Sequence, residues 1–325
     1  MRDLRISVTD HCNFRCVYCM PKAVFGTRYH FVGHEGLLTF EEIERFARQA
    51  ALLGVTKIRL TGGEPLLRPH LEDLVAKLSH IQGIEDLALT TNASTLTPQK
   101  AAALRAAGLQ RINISLDALD EDIFQKMNDV GFPVARVLQA IDDAAAAGLR
   151  VKINMVVRRN LNDSQIVPMA EHFRGTGHTL RFIEYMDVGN LNGWQRDDVV
   201  TAQEILSRIG DHWPLEPVNS QRYGEVATRY RYVDGQGEIG VISSISQPFC
   251  GSCTRARLSP EGQLYTCLFG TQGHDLRALL RSGATDEEIY AALAGIWRAR
   301  DDRYSELRAS TAPKGQKVEM FHIGG

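Results

Sequence analysis

No stretch of this 325-residue chain stays apolar for the roughly 18 residues that a membrane span needs, and no low-complexity segment or internal repeat interrupts it. Helical membrane proteins and solenoids are thereby set aside. Excess charge of one sign is also missing. The chain carries 37 Lys and Arg against 39 Asp and Glu, a formal net charge of -2, so no bulk field draws it to nucleic acid or to an anionic membrane. An anion must be held by individually placed cations, and the expected partner is a small molecule. Met1-Arg2-Asp3-Leu4-Arg5 leads straight into a strand-like segment, which predicts a cytoplasmic protein. Cysteine is scarce. The six that exist form two triplets, at 12, 16, 19 and at 250, 253, 267, with none left over. Core thiols would scatter, and disulfides are uncommon in a reducing cytosol, so two cysteine-ligated metal sites are expected.

What is present, at 44% hydrophobic residues, supplies a large core. Strands are predicted at 4–9, 57–61, 86–91, 111–116, 150–157 and 179–186, with helical stretches between them. Thr39, with Glu42 three residues on, is a capping box opening a helix over 40–53, and Thr97-Pro98 opens another. Six β/α units in succession predict an α/β fold on a parallel sheet, either doubly wound or curved into a barrel.

The alternation within the strands chooses between these. Leu4, Ile6 and Val8 alternate with Arg5, Ser7 and Thr9; Ile112, Ile114 and Leu116 alternate with Asn113, Ser115 and Asp117. Lys152 and Asn154 lie between Val151, Ile153 and Met155, while Arg59 and Thr61 flank Leu60. One polar strand face implies a chamber rather than a filled barrel. The expectation is a partial, open β/α barrel of about six units over 1–190. Beyond about 187 come a Gly/Asn/Trp loop, a helix at 201–209, strands at 225–233 and 238–245, the second triplet, a helix near 286–299 and a terminal Gly324-Gly325. Residues 191–325 are read as a C-terminal iron–sulfur module.

Cys12, Cys16 and Cys19 can converge on one cluster and leave its fourth iron open to a chelating molecule. A zinc site closed by His11 or His30 is the alternative. Cys250, Cys253 and Cys267 make a second three-thiolate set, with zinc completed by His274 as its alternative. Arg255 and Arg257 sit beside it at alternate positions. With Arg5, Arg59 and Lys152 facing inward, the chamber holds a cation cluster that a polyanionic substrate would neutralise.

The first triplet, with Tyr18 inside it and Thr61-Gly62-Gly63-Glu64-Pro65 after the second strand, resembles the radical S-adenosylmethionine superfamily. The segments LRISVTDHCNFRCVYCMP, IRLTGGEPLLR, RINISLDALD, RFIEYMDVGN, FCGSCTRARLS and IWRARDDRYSE, with the terminal Gly-Gly, more closely resemble the molybdenum cofactor biosynthesis protein A family, the GTP 3′,8-cyclases. The resemblance implies two [4Fe–4S] clusters and S-adenosylmethionine, with Tyr18, Gly63, Ser115 and Met186 contacting that cofactor. It assigns Arg5, Arg59, Thr90, Lys152, Arg255, Ala256 and Arg257 to GTP. It also carries Arg255, Arg257, Gly324 and Gly325 into the catalytic set, the tail reaching into the active site. The implied reaction moves hydrogen from ribose C3′ and joins C3′ to guanine C8. The partners it implies are GTP, an electron donor and the downstream cyclic pyranopterin monophosphate synthase, with a homodimer compatible with the sequence and neither nucleic acid nor membrane involved. Two departures stand out: few residues precede the first strand, and Ala93 stands where the family has glycine. Competing readings are a peptide-modifying two-cluster radical enzyme and a non-enzymatic iron–sulfur sensor or zinc-stabilised interaction module.

Overall fold

The computed structural model describes residues 1–26, 28–220, 223–308 and 315–325. Twelve strands build one sheet: β1 (Asp3–Ser7), β2 (Lys57–Thr61), β3 (Asp86–Thr91), β4 (Arg111–Ser115), β5 (Arg150–Val157), β6 (Thr179–Glu184), β7 (Leu215–Val218), β8 (Thr228–Tyr232), β9 (Glu238–Ile242), β10 (Arg255–Leu258), β11 (Gln263–Tyr265) and β12 (His274–Asp275). Their order is β12-β11-β10-β1-β2-β3-β4-β5-β6-β9-β8-β7. From β10 through to β9 every pairing is parallel, and β11–β12 and β8–β7 add antiparallel flanks. The ends, β12 and β7, are not neighbours, so the sheet stays open as expected.

The helices follow from their caps. Thr39 accepts from the Glu42 N–H and Glu42 reaches back to the Thr39 N–H, starting the helix Phe40–Leu52. Thr97 caps Pro98–Ala106 through the Lys100 N–H. These helices cover one face of the sheet, where Leu4, Ile6, Ile58, Leu60, Ile112, Ile114 and Ile153 are fully buried in one core. Burying each such side chain contributes about 1.5–3 kcal/mol. A one-residue slip would turn all of them outward, so the register is strongly specified. The polar partners Arg5, Arg59, Asn113 and Lys152 are thereby forced to the concave face.

Both halves of the chain share this frame. β10 lies parallel against β1 and β9 against β6, so the change in sequence character near residue 190 marks no gap in the sheet. Helix Asp286–Arg298, capped by a Thr285–Glu288 box, packs on Phe40–Leu52, with Arg45 paired to Asp286 at 2.7 Å. At the family's glycine position Ala93 has φ 60°, a left-handed backbone that costs an alanine roughly 1–2 kcal/mol.

Candidate active site

The polar strand faces enclose a cavity of about 1140 Å³. Single-ligand pockets run to roughly 1,000 Å³, so a cofactor and a substrate can share it. Arg5, Lys57, Arg59, Arg111, Lys152, Arg181, Arg255 and Arg257 all line it. Parallel pairing stacks them in rows: Asp3 is level with Lys57 and Arg255, and Arg5 is level with Arg59 and Arg257. Two ion pairs offset part of the charge, Lys57 to Asp3 at 3.2 Å and Arg111 to Asp86 at 2.8 Å. Among the described residues no carboxylate forms an ion pair with Arg5, Arg59, Lys152, Arg181, Arg255 or Arg257, although Asp3 and Asp86 attract Arg59 at longer range. Burial, then repulsion from Arg59 and Arg257, pushes Arg5 far down from the ordinary arginine range. Arg181 is pushed down likewise by burial and by Arg59 and Arg111. Among the described residues, Arg5 Nε, Arg59 Nε, Arg181 Nε and Arg255 Nη1 are buried donors with no acceptor. Orphaned charged donors are expensive unless a ligand supplies oxygens, which is the task a polyphosphate performs.

The first cysteine loop leaves β1 and turns on itself, with the Cys19 and Met20 N–H groups both donating to the Cys16 carbonyl. Cys12, Cys16 and Cys19 all line the cavity. The Phe14 N–H donates to Cys12 Sγ at 3.4 Å and Asn92 Nδ2 lies 3.9 Å from it. The Phe321 N–H donates to Cys19. Burial, reinforced by Glu64, pushes the Cys12 thiol up to about 12, and burial holds Cys16 and Cys19 well above the usual thiol range. Such thiols ionise when a metal takes them, and N–H groups aimed at sulfur suit iron–sulfur ligation. Among the described residues no three His, Cys, Asp or Glu side chains converge on a single ion. His11, His30 and His274 are exposed and none lines the cavity.

Tyr18 lies between these cysteines, buried, its hydroxyl donating to Asp117 Oδ2 at 2.9 Å. Burial pushes Asp117 up to about 6 despite the Val156 N–H and the tyrosine hydroxyl that stabilise its charge. Gly62 and Gly63 have a structural reason beyond ligand access. The Gly63 N–H donates to the Thr9 carbonyl at 2.8 Å, and a Cβ on Gly63 would lie 2.6 Å from the Asp10 carbonyl oxygen and closer still to that of His11. Those are backbone atoms of the cysteine loop and cannot swing aside. Gly63→Ala should therefore shift the loop and reduce S-adenosylmethionine cleavage by about tenfold or more, the scale of a disturbed ligand support. Cleavage at the normal rate, measured as 5′-deoxyadenosine released, would contradict this packing argument.

Cys250 and Cys253 flank a short turn, the Cys253 N–H donating to the Cys250 carbonyl at 3.1 Å, and the chain runs directly into β10. Cys267 follows β11, and all three line the same cavity as the first triplet. Burial pushes Cys267 up to about 11 even though the Phe269 N–H donates to it. Cys253 is different. Burial would raise it, but Arg255, the Arg255 N–H, Arg300 and Arg257 outweigh that and hold it below the ordinary thiol value.

The tail enters beside these groups. Phe321 and Ile323 are buried, Phe321 edge-on to Phe25 with ring centres 4.9 Å apart. The Arg257 guanidinium donates to the Gly324 carbonyl, and Gly325 lines the cavity. Gly63, Thr90, Ser115 and Met186 line it too. Ala256 sits between Arg255 and Arg257, so strand alternation turns its methyl into the apolar core and leaves its backbone as the part that lies between the two arginines. Lys57, Arg111 and Arg181 are cavity cations that the sequence reading passed over. The signal was available, because each shares the period-two face of Arg59, Asn113 or Asn154.

Residues 6–173 match the Radical SAM superfamily and residues 178–306 match Molybdenum Cofactor Synthesis C. A GTP 3′,8-cyclase of Acidothermus cellulolyticus is 50% identical over 100% of this chain and 97% of its own length. The chain belongs to the GTP 3′,8-cyclase family. The GTP 3′,8-cyclase of Xanthomonas axonopodis pv. citri is 52% identical and that of Staphylococcus aureus strain JH9 is 50% identical, each over 100% of this chain and 96% of the relative. Membership in this radical family brings S-adenosylmethionine and an iron–sulfur cluster as cofactors. Among solved structures, Streptococcus suis SuiB bound to S-adenosylmethionine superposes with a TM-score of 0.66 at 13% identity, covering 99% of this chain and 77% of that one. SuiB bound to its precursor peptide SuiA gives 0.68 at 15%, covering 99% and 76%. These share the fold of the GTP 3′,8-cyclase family member described here. No helix among its described residues is long and apolar enough to cross a membrane.

Proposed function

We propose that this chain is a GTP 3′,8-cyclase that converts GTP to (8S)-3′,8-cyclo-7,8-dihydroguanosine 5′-triphosphate, the first step of molybdenum cofactor biosynthesis. The observation that carries the substrate is the row of arginines facing one cavity between two cysteine triplets, with buried guanidinium nitrogens of Arg5, Arg59, Arg181 and Arg255 that have no acceptor among the described residues. Cys12, Cys16 and Cys19 hold one [4Fe–4S] cluster, with Tyr18, Gly63, Ser115 and Met186 around S-adenosylmethionine. Together these groups supply a 5′-deoxyadenosyl radical when bound. Cys250, Cys253 and Cys267 hold a second cluster at the far wall. Arg5, Arg59, Lys152 and Arg181 hold the triphosphate, so the ribose lies between the two cysteine loops. Arg255, Arg257, Gly324 and Gly325 close the site around the nucleotide and keep water out. An external electron donor completes the cycle. The pathway's next enzyme, cyclic pyranopterin monophosphate synthase, consumes the product.

The test is anaerobic turnover of the reconstituted, reduced protein with S-adenosylmethionine and each nucleoside triphosphate in turn. GTP should stimulate 5′-deoxyadenosine formation and yield a cyclised nucleotide by mass spectrometry. Cleavage with no change in any nucleotide would remove the substrate assignment. A peptide-modifying reading would instead require a peptide to stimulate cleavage.

Lys152 adds a pH signature. Burial, then repulsion from Arg181, Arg111 and Lys57, lowers it to about 7. An entering polyphosphate favours its charged form and raises that value. Binding should therefore take up a proton above pH 7, and affinity should fall by up to about tenfold per pH unit above 7. Calorimetry of GTP binding in buffers of different ionisation enthalpy measures this uptake, and Lys152→Met should reduce it near pH 7, leaving the contribution of Lys57, which burial lowers to about 8. Proton release at pH 8 would contradict the assignment.

A further inference from the structure

The C-terminal tail does more than end in the cavity, because it is held by the loop that follows β6 and by the loop that follows Cys267. Residues 187–190 follow β6 directly after Met186, and Asp187 is their anchor. Asp187 Oδ2 accepts from Lys317 Nζ at 2.9 Å and from the Tyr304 hydroxyl at 2.6 Å, while Arg308 Nε lies 2.9 Å from Oδ1. Lys317 Nζ also donates to the Asp187 carbonyl at 2.8 Å. Lys317 stands over the Tyr304 ring at 4.6 Å, and Tyr304 stacks on Phe269 with ring centres 4.6 Å apart.

The contact continues down the tail. Asn190 Oδ1 accepts from the Lys317 N–H at 3.0 Å and Asn190 Nδ2 donates to the Lys317 carbonyl at 2.6 Å. The Asn190 N–H donates to Glu319 Oε1 at 2.9 Å. Gly189, at φ 65°, makes room for that carboxylate: a Cβ there would lie 2.7 Å from Glu319 Cδ. On the other side the Val318 N–H donates to the Gly270 carbonyl at 3.0 Å, three residues past Cys267. The tail is thus gripped between the loop carrying Met186 and the loop carrying Cys267. It then passes Cys19 at Phe321 and reaches Arg257 at Gly324.

We propose that Asp187 is a positioning residue, a latch that seats the C-terminal tail in the cavity by holding Lys317. Nearly buried, it offers a carboxylate to two cations and a hydroxyl at the point where the tail meets the barrel rim. Its removal leaves Lys317 and Arg308 facing one another without a counter-charge. The tail then detaches first at Lys317–Glu319, and Gly324 loses its fixed position against Arg257. The latch rests on the cyclase reading only for its effect on turnover, since tail seating is measured separately.

Hydrogen–deuterium exchange of the reconstituted holoenzyme, read on peptides covering 315–325, compares wild type with Asp187→Asn, Asp187→Glu and Lys317→Gln. In Asp187→Asn and Lys317→Gln the tail amides should exchange about tenfold faster or more, with β1–β6 protection and iron content unchanged. Asp187→Glu, which keeps the charge, should restore most of the protection. Cyclised nucleotide should fall about tenfold in kcat, with KM for GTP within about twofold of wild type, the pattern of a lost transition-state arrangement. Wild-type tail protection in Lys317→Gln overturns the proposal whatever Asp187→Asn does, and that variant decides the question if Asp187→Asn fails to fold. Fast tail exchange in the variants, with no GTP turnover by the wild type, leaves the latch standing and sinks the cyclase reading.

Discussion

Gly324→Ala is expected to fold, bind iron and cleave S-adenosylmethionine, yet form cyclised nucleotide roughly a hundredfold more slowly or worse. The residue has φ 75°, where an alanine is strained. A Cβ there would also lie 3.1 Å from Thr61 Cβ and Oγ1 and collide outright with Thr61 Cγ2. Thr61 is buried on β2 and cannot retreat without disturbing the core strand. The chain end is the cheaper part to move, so the tail withdraws and Arg257 loses the Gly324 carbonyl it donates to. Gly325→Ala is the internal comparison. Its added methyl meets only the flexible Met320 side chain, 2.9 Å from Sδ, so a much smaller loss is expected. Equal losses in the two variants, or normal cyclisation in Gly324→Ala, would exclude this account of the tail.

The second large effect separates the two cysteine triplets. Cys12→Ala should bind about half the iron and abolish S-adenosylmethionine cleavage. Cys253→Ala should also bind about half the iron, yet keep part of the cleavage while losing the cyclised product. The distinction follows from position, since the loop after β1 carries the first triplet beside Gly63 and Tyr18, whereas the second opens β10 beside Arg255 and Arg257. Unchanged iron in Cys253→Ala would remove the second cluster. Complete loss of cleavage in both would mean that the triplets serve one site.

Much of this was readable from period-two alternation. The core and cavity faces of β1, β2, β4 and β5 follow from whether a residue is odd or even along each strand, as Ile58 and Leu60 against Arg59 illustrate. The same rule, pressed further, finds Lys57, Arg111 and Arg181, and it turns the Ala256 methyl into the core. Other features lay beyond any local pattern. β10 reads as a short segment after a cysteine turn, and only its pairing with β1 brings Arg255 and Arg257 level with Asp3 and Arg5. The contacts of Asp187 with Tyr304, Arg308 and Lys317 join residues more than a hundred positions apart, with no spacing to betray them. The Gly62–Gly63 pair marks the right segment in the sequence, but the close approach it permits is first of all to the cysteine loop itself.

The pairing of β1 with β10 also sets a schedule. Asp3 is synthesised about 250 residues before its neighbour Arg255. At roughly 5–20 residues per second, the nascent chain spends on the order of ten to fifty seconds with one side of β1 bare. During that interval the strand edge and the thiols of Cys12, Cys16 and Cys19 lie open to assembly factors or to oxidants. Metal loading of the first triplet can precede closure of the wall, whereas the second triplet is complete only once Cys267, beyond β10, has been made.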